Sequence, residues 1–198
     1  MKRQVIALAV AAALAPLAAQ AQSQDTGDWI VRARAVSLSS ANSDSTGLDL
    51  SINDKVIPEV DISYFLTPNW AMELILTYPQ KQDVKSGSTK IGSFKHLPPT
   101  LTAQYHFNGL GRVVPYVGAG INFTQFSSVS LPAGVTIDKT SWGGALQVGF
   151  DVPVAKNVVV NFDVKKVWIQ TDVKAAGAKI GTFKVDPLLV GVGVGYRF

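Results

Sequence analysis

Hydrophobic and polar residues alternate one for one along most of the chain, in segments about ten residues long, and that period of two predicts strands. Eight such segments stand out. Asp28 to Ser39 sets Trp29, Val31, Ala33 and Ala35 against Arg32, Arg34, Val36 and Leu38. Val56 to Leu66 sets Val60, Ile62, Tyr64 and Leu66 against Glu59, Asp61 and Ser63. Trp70 to Tyr78 sets Trp70, Met72, Leu74, Leu76 and Tyr78 against Ala71, Glu73, Ile75 and Thr77. Leu97 to Phe107, Val113 to Phe126, Thr140 to Val152 and Val158 to Thr171 continue the alternation. Asp186 to Phe198 ends it with Leu188, Val190, Val192, Val194, Tyr196 and Phe198 on one face and Gly191, Gly193, Gly195 and Arg197 on the other.

The connections have their own rhythm. Short turns near residues 67, 109 and 155 alternate with long polar stretches at roughly 40 to 55, 79 to 96, 127 to 139 and 172 to 182. Short periplasmic turns and long extracellular loops are the pattern of an outer-membrane barrel, and an even strand count brings both termini to the periplasm. An aromatic residue at each end of an apolar face, as at Trp70 and Tyr78, fits the interfacial girdles of such a barrel. The predicted fold is therefore all-β: an eight-stranded antiparallel transmembrane β-barrel. Alternation alone does not say which face points outward, so a soluble barrel or sandwich with the opposite parity is the competing fold.

The amino-terminal segment stands apart from this pattern. Lys2 and Arg3 precede an apolar run from Val5 to Leu17, followed by Ala19-Gln20-Ala21, which is the layout of an export signal cleaved after Ala21. Residues 1–21 are thus expected to be a signal peptide and 22–198 the barrel. The run is too short to span a bilayer as a helix. Its removal takes away two of 18 basic side chains, leaving 16 against 14 acids, a balance that does not favour nucleic acid as a partner. There is no cysteine, so neither a disulfide framework nor a thiolate site is available.

Within the strands, several stretches resemble the OmpW family of outer-membrane proteins. They are Leu97-Pro98-Pro99-Thr100-Leu101 with Gln104, Pro115-Tyr116-Val117-Gly118-Ala119-Gly120-Ile121-Asn122-Phe123-Thr124, Ser141-Trp142-Gly143 with Gln147 and Gly149, and Asp186-Pro187 with Gly195-Tyr196-Arg197-Phe198. The resemblance implies an eight-stranded barrel whose hydrophobic channel admits small apolar molecules. It also implies that the terminal Tyr196 and Phe198 are read by the barrel assembly machinery. Outer-membrane lipid and lipopolysaccharide are the expected surroundings. The oligomeric state is not legible.

Strand direction gives each inward side chain a height. Val36, Leu38, Ile75, Phe126, Val167, Ile169, Phe183 and Val185 are expected to line an apolar funnel at the outer end. Arg32, Arg34, Glu59, Asp61, Glu73, Asp151, Asp163, Lys165 and Arg197 are expected to form a charged layer lower down. Eight strands enclose only enough space for side chains or one small ligand. Crossing the layer would require desolvating paired ions. A hydrophobic solute is therefore expected to leave sideways near Pro98 and Pro99, whose missing N–H groups weaken the ladder. The other reading is a structural or receptor barrel whose extracellular loops, with Lys81, Lys85, Lys90 and Lys139, bind partners, phage or bacteriocins.

Chemistry of other kinds is not expected. His96 and His106 share no metal-ligand spacing, and Ser141, Asp163 and His106 lie on separate strands without a catalytic motif. No cofactor, metal or enzymatic activity is predicted. One internal echo stands out: Lys90-Ile91-Gly92-Ser93-Phe94-Lys95 and Lys179-Ile180-Gly181-Thr182-Phe183-Lys184 each lead from a long loop into a descending strand.

Overall fold

The computed structural model describes residues 28–198, so the expected signal peptide at 1–21 lies outside the described residues. Fifteen strands follow one another: β1 (Trp29–Ser39), β2 (Ser43–Asp44), β3 (Leu50–Ile52), β4 (Lys55–Phe65), β5 (Trp70–Thr77), β6 (Gln80–Ser86), β7 (Thr89–Leu97), β8 (Thr100–His106), β9 (Val114–Ser130), β10 (Val135–Ile137), β11 (Thr140–Pro153), β12 (Val158–Val167), β13 (Gln170–Ala175), β14 (Ala178–Lys184) and β15 (Leu188–Arg197). Eight of them close on themselves in the order β1-β4-β5-β8-β9-β11-β12-β15, every neighbour antiparallel. The closing seam runs from Ile30 opposite Arg197 to Ser39 opposite Leu188. At its lower end the Phe198 N–H donates to the Trp29 carbonyl at 2.9 Å. Closure leaves no unpaired edge at this seam, which a strand structure in lipid requires.

Parity decides between membrane and soluble barrels, and here it is inverted relative to a soluble protein. Trp142 is 68% exposed and Ile121, Leu146 and Val148 are exposed beside it, whereas Arg32, Asp61, Glu73 and Thr102 are fully buried inside. Aromatic pairs ring both ends of the apolar surface: Trp70 with Tyr105 and Tyr196 with Phe198 below, Phe123 with Trp142 above. Such a surface is stable only against lipid.

The sequence predicts the four long connections as polar loops, but almost all of the second, 79 to 96, is a hairpin of β6 and β7. The fourth is largely the β13–β14 hairpin, and β10, β13, β14 and β2 form a second sheet above the barrel. The outward faces of these strands carry lysines and the inward faces carry single apolar residues, so their average composition is polar while their alternation is that of strands. Both copies of the repeated Lys-Ile-Gly-(Ser/Thr)-Phe-Lys segment fall on the descending strand of a hairpin, with Phe94 and Phe183 buried. The glycine of each copy lies against a neighbouring backbone: a Cβ on Gly92 would stand 2.1 Å from the Ser130 carbonyl, and one on Gly181 2.8 Å from Thr46 Cα.

Candidate functional site

At the bottom of the interior the inward side chains of β1, β4, β5, β11 and β12 meet as a dense ionic layer. Arg32 bonds Asp151 through two nitrogens, at 2.7 and 3.2 Å, and places Nη1 3.0 Å from Asp61 and 2.8 Å from the Ser63 hydroxyl. Arg34 reaches Glu59 at 3.0 Å, Asp61 at 2.8 Å, Glu73 at 3.2 Å and the side-chain Oδ1 of Asn161 at 2.6 Å. Lys165 lies 3.0 Å from Glu59 and 3.4 Å from Asp163. Tyr116 donates its hydroxyl proton to Asp163, and the Gln147 amide donates to both Glu73 and Asp163. Eight of the nine residues expected in the charged layer share this one network. Arg197 lies at its periplasmic side, with its guanidinium over the Phe65 ring at 4.5 Å.

Directly above, a small cavity of about 20 Å³ rests on Glu59 and Lys165 and is walled by Leu38, Ile57, Ile75, Val167 and Ile169, with His96, Pro98 and Pro187 at its rim. A larger cavity of about 250 Å³ lies between the extracellular hairpins. Its walls are Leu48, Leu50, Val84, Ile91, Phe94, Leu131, Pro132, Val135, Ile137, Val173 and Phe183, with only Ser86 and Thr171 polar. That volume exceeds the roughly 150 Å³ of an apolar cavity that takes a benzene-sized guest.

The residues expected along a funnel are thus distributed. Phe183 lines the upper cavity; Leu38, Ile75, Val167 and Ile169 line the lower one. Val36 is packed beneath, against Gly191. Phe126 and Val185 line neither cavity and by register stand between them. Phe94 meets Phe126 edge to face at 5.3 Å, so a packed aromatic partition separates the two spaces. Leu50, Val84, Phe94 and Val173 belong to this site and were not singled out from the sequence, although their alternation with Lys and Ser was there to find.

The wall beside the lower cavity is incompletely laddered. Pairing of β5 with β8 ends at Ile75 opposite Thr100, and pairing of β6 with β7 begins at Gln80 opposite His96. Leu76 to Pro79 therefore face Leu97 to Pro99 without a ladder. On the far side the prolines are held, since the Phe123 N–H donates to the Pro99 carbonyl and the Asn122 amide to both proline carbonyls. The comparable place at Pro187 is stitched by Val167 N–H to Pro187, Val185 N–H to Ile169 and Ile169 N–H to the Asp186 carboxylate.

Ser141, Asp163 and His106 are not brought together. Asp163 lies opposite Gly149 on β11, eight residues below Ser141, about 26 Å along the strand. His106 contacts Gln104 at 3.0 Å, and its ring packs on Phe65 and Tyr116 at the barrel floor.

The extracellular sheet is fastened by ionic contacts of its own. Lys179 and Thr182 bond Asp172 and hold its carboxyl below the usual range. Partial burial alone would raise Asp44, but the backbone N–H groups of Thr46 and Leu50, which bond it, outweigh that and lower it. A lowered carboxylate stabilises the fold above its unfolded value near 3.9 and loses that contribution as pH falls through the lower, folded value. Protection of the Thr46 and Leu50 amides against hydrogen exchange is therefore expected to hold from pH 7 to about 4 and to drop below it. Undiminished protection at pH 2 would contradict the assignment.

The OmpW family model matches residues 25–198, a range that takes in the barrel and its extracellular strands. The chain belongs to the OmpW family. Among relatives of this OmpW-family barrel, an uncharacterized outer-membrane protein of Sinorhizobium fredii, y4mB, is 45% identical over 183 residues, covering 86% of this chain and 80% of the relative. The dibenzothiophene metabolism operon protein DoxH of a Pseudomonas species is 30% identical over 146 residues, covering 70% and 69%. The crystal structure of the outer membrane protein OprG from Pseudomonas aeruginosa is similar with a TM-score of 0.74 at 26% identity, covering 87% of this chain and 96% of OprG. The OmpW-family barrel is an outer-membrane protein, as its lipid-facing surface requires.

Proposed function

We propose that this OmpW-family barrel admits small hydrophobic molecules from outside and releases them sideways into the outer membrane. The observation that carries this reading is the vertical order of the interior: an apolar cavity between the hairpins, an aromatic partition, a smaller cavity, then a layer of paired ions. An apolar solute gains by entering the upper cavity and gains nothing by displacing ion pairs below it. The unladdered stretch at Pro98 and Pro99 borders the lower cavity and offers the shorter way out. A relative named for an operon of dibenzothiophene metabolism supports the same class of solute, since dibenzothiophene is a fused, apolar ring system.

The test is the double variant Pro98→Val/Pro99→Val, which regains two backbone donors. Uptake of naphthalene by cells carrying the variant in the outer membrane is expected to fall about fivefold, the weight of one net hydrogen bond on the closed wall. Equal uptake by variant and wild type would remove the lateral route. No uptake above that of cells without the protein would remove the conduit itself and leave the receptor role of the loops.

A further inference from the structure

Above the ion pairs the buried polar side chains of Thr100, Asn122, Thr124, Ser141 and Thr171 have hydrogen-bond partners, and those that lack one lie along a single wall. Gln82 of β6 lies opposite Phe94 of β7, with Val84 above it and Gln80 below it on the same inward face. Val84 and Phe94 line the upper cavity, whereas His96, opposite Gln80, lines the lower one, so Gln82 stands at the partition. It is 0% exposed, and neither its amide nitrogen nor its carbonyl oxygen has a partner. Among the described residues it is the one buried amide side chain unpartnered at both ends. A methionine would fill the same space without the penalty of a buried, unsatisfied amide, so packing does not account for it.

Two further groups continue the pattern downward. His96 is 2% exposed with Nδ1 unpartnered, and the buried Thr77 hydroxyl lacks a partner; both line the lower cavity. Gln82 at the partition, lining neither cavity, and His96 and Thr77 below it thus form a file down to the level of Pro98. All three sit on the β5–β6 and β7 wall, the one that is interrupted.

We infer that this file is a hydrogen-bonding subsite for an apolar molecule carrying one uncharged polar group, a hydroxyl or carbonyl as in an alcohol, phenol or ketone. An amide offers a donor and an acceptor at once, which is what a hydroxyl needs on both sides. The flanking Val84, Phe94 and Phe126 favour the apolar body, and a charged head would lose its hydration there without an ionic partner on the file. The subsite rests on the conduit proposed above and narrows its cargo from hydrocarbons in general to those with a single polar handle.

The experiment compares uptake of 2-naphthol and naphthalene, at concentrations where flux follows affinity, by cells carrying the full chain or the Gln82→Met variant. The ratio of 2-naphthol to naphthalene uptake is expected to fall about fivefold in the variant, one net hydrogen bond. His96→Leu is expected to move the ratio the same way. The refolded Gln82→Met barrel is expected to unfold at higher urea than wild type, because a buried amide without partners has been removed. An unchanged ratio with both probes entering overturns the subsite and leaves the conduit standing. Entry of neither probe above protein-free cells overturns both. A loss of stability in Gln82→Met would mean that the amide is bonded within the wall, and also overturns the subsite.

Discussion

Arg32→Ala is expected to destabilise the folded barrel by about 3–5 kcal/mol, the cost of removing one partner from a buried ion pair. Arg32 is fully buried and serves Asp151, Asp61 and Ser63 together, at 2.7, 3.0 and 2.8 Å from its two Nη atoms. Its loss takes from Asp151 its two-pronged contact and leaves Asp61 and Glu73 to share Arg34. Arg32→Lys keeps the charge and gives up the two-pronged contact with Asp151, so its cost is expected to fall between wild type and alanine. Urea unfolding of the protein refolded into lipid vesicles reads the difference as a shift in midpoint at constant slope. A change below about 1 kcal/mol in Arg32→Ala would show that the layer relaxes or admits water and does not block the straight route.

The second large effect is expected at the closing seam. A Cβ on Gly193 would lie 2.1 Å from the Ala33 carbonyl oxygen and 2.8 Å from Arg34 Cα, so the clash is with the backbone of the neighbouring strand. Gly193→Ala must push β15 away from β1 and is expected to cost about 3 kcal/mol, the upper end of overpacking, or to prevent folding. Gly191 is two residues away on the same face, and a Cβ there would meet Val36 Cγ2 at 3.2 Å and Arg34 Cδ at 3.4 Å, with the nearest backbone atom, the Ala35 carbonyl oxygen, in ordinary contact at 3.9 Å. Those are side-chain atoms that need to give by only a few tenths of an ångström, and Gly191→Ala is expected to stay within about 1 kcal/mol of wild type. The pair is a matched control: equal costs at 191 and 193 would show that lumen volume, not strand approach, fixes these glycines.

The sequence pattern located the barrel strands well because lipid on one side and ions on the other impose a strict period of two. Arg32 and Arg34 alternate with Ala33 and Ala35, and Glu59 and Asp61 with Val60, so the charged layer could be read as a set before any contact was known. The hairpins above the membrane were hidden for the opposite reason. Their outer faces meet water rather than lipid, Lys81, Lys85, Lys90 and Lys95 dominate the composition, and single inward apolar residues such as Val84, Phe94, Val173 and Phe183 betray the strands. The cavity of about 250 Å³ belongs to those hairpins, so its lining was only partly anticipated.

The number of barrel strands and which side chains share a face were thus determined by the sequence itself, because each follows from local alternation. Which face would meet lipid was left open by alternation and settled by the burial of Arg32, Asp61 and Glu73. The split of the apolar interior by Phe94 and Phe126, the missing ladder beside Pro98 and Pro99, and the unpartnered Gln82 were decided only by tertiary structure. Each depends on register between strands far apart in the chain, and register is fixed by the closure of the whole barrel rather than by any one segment.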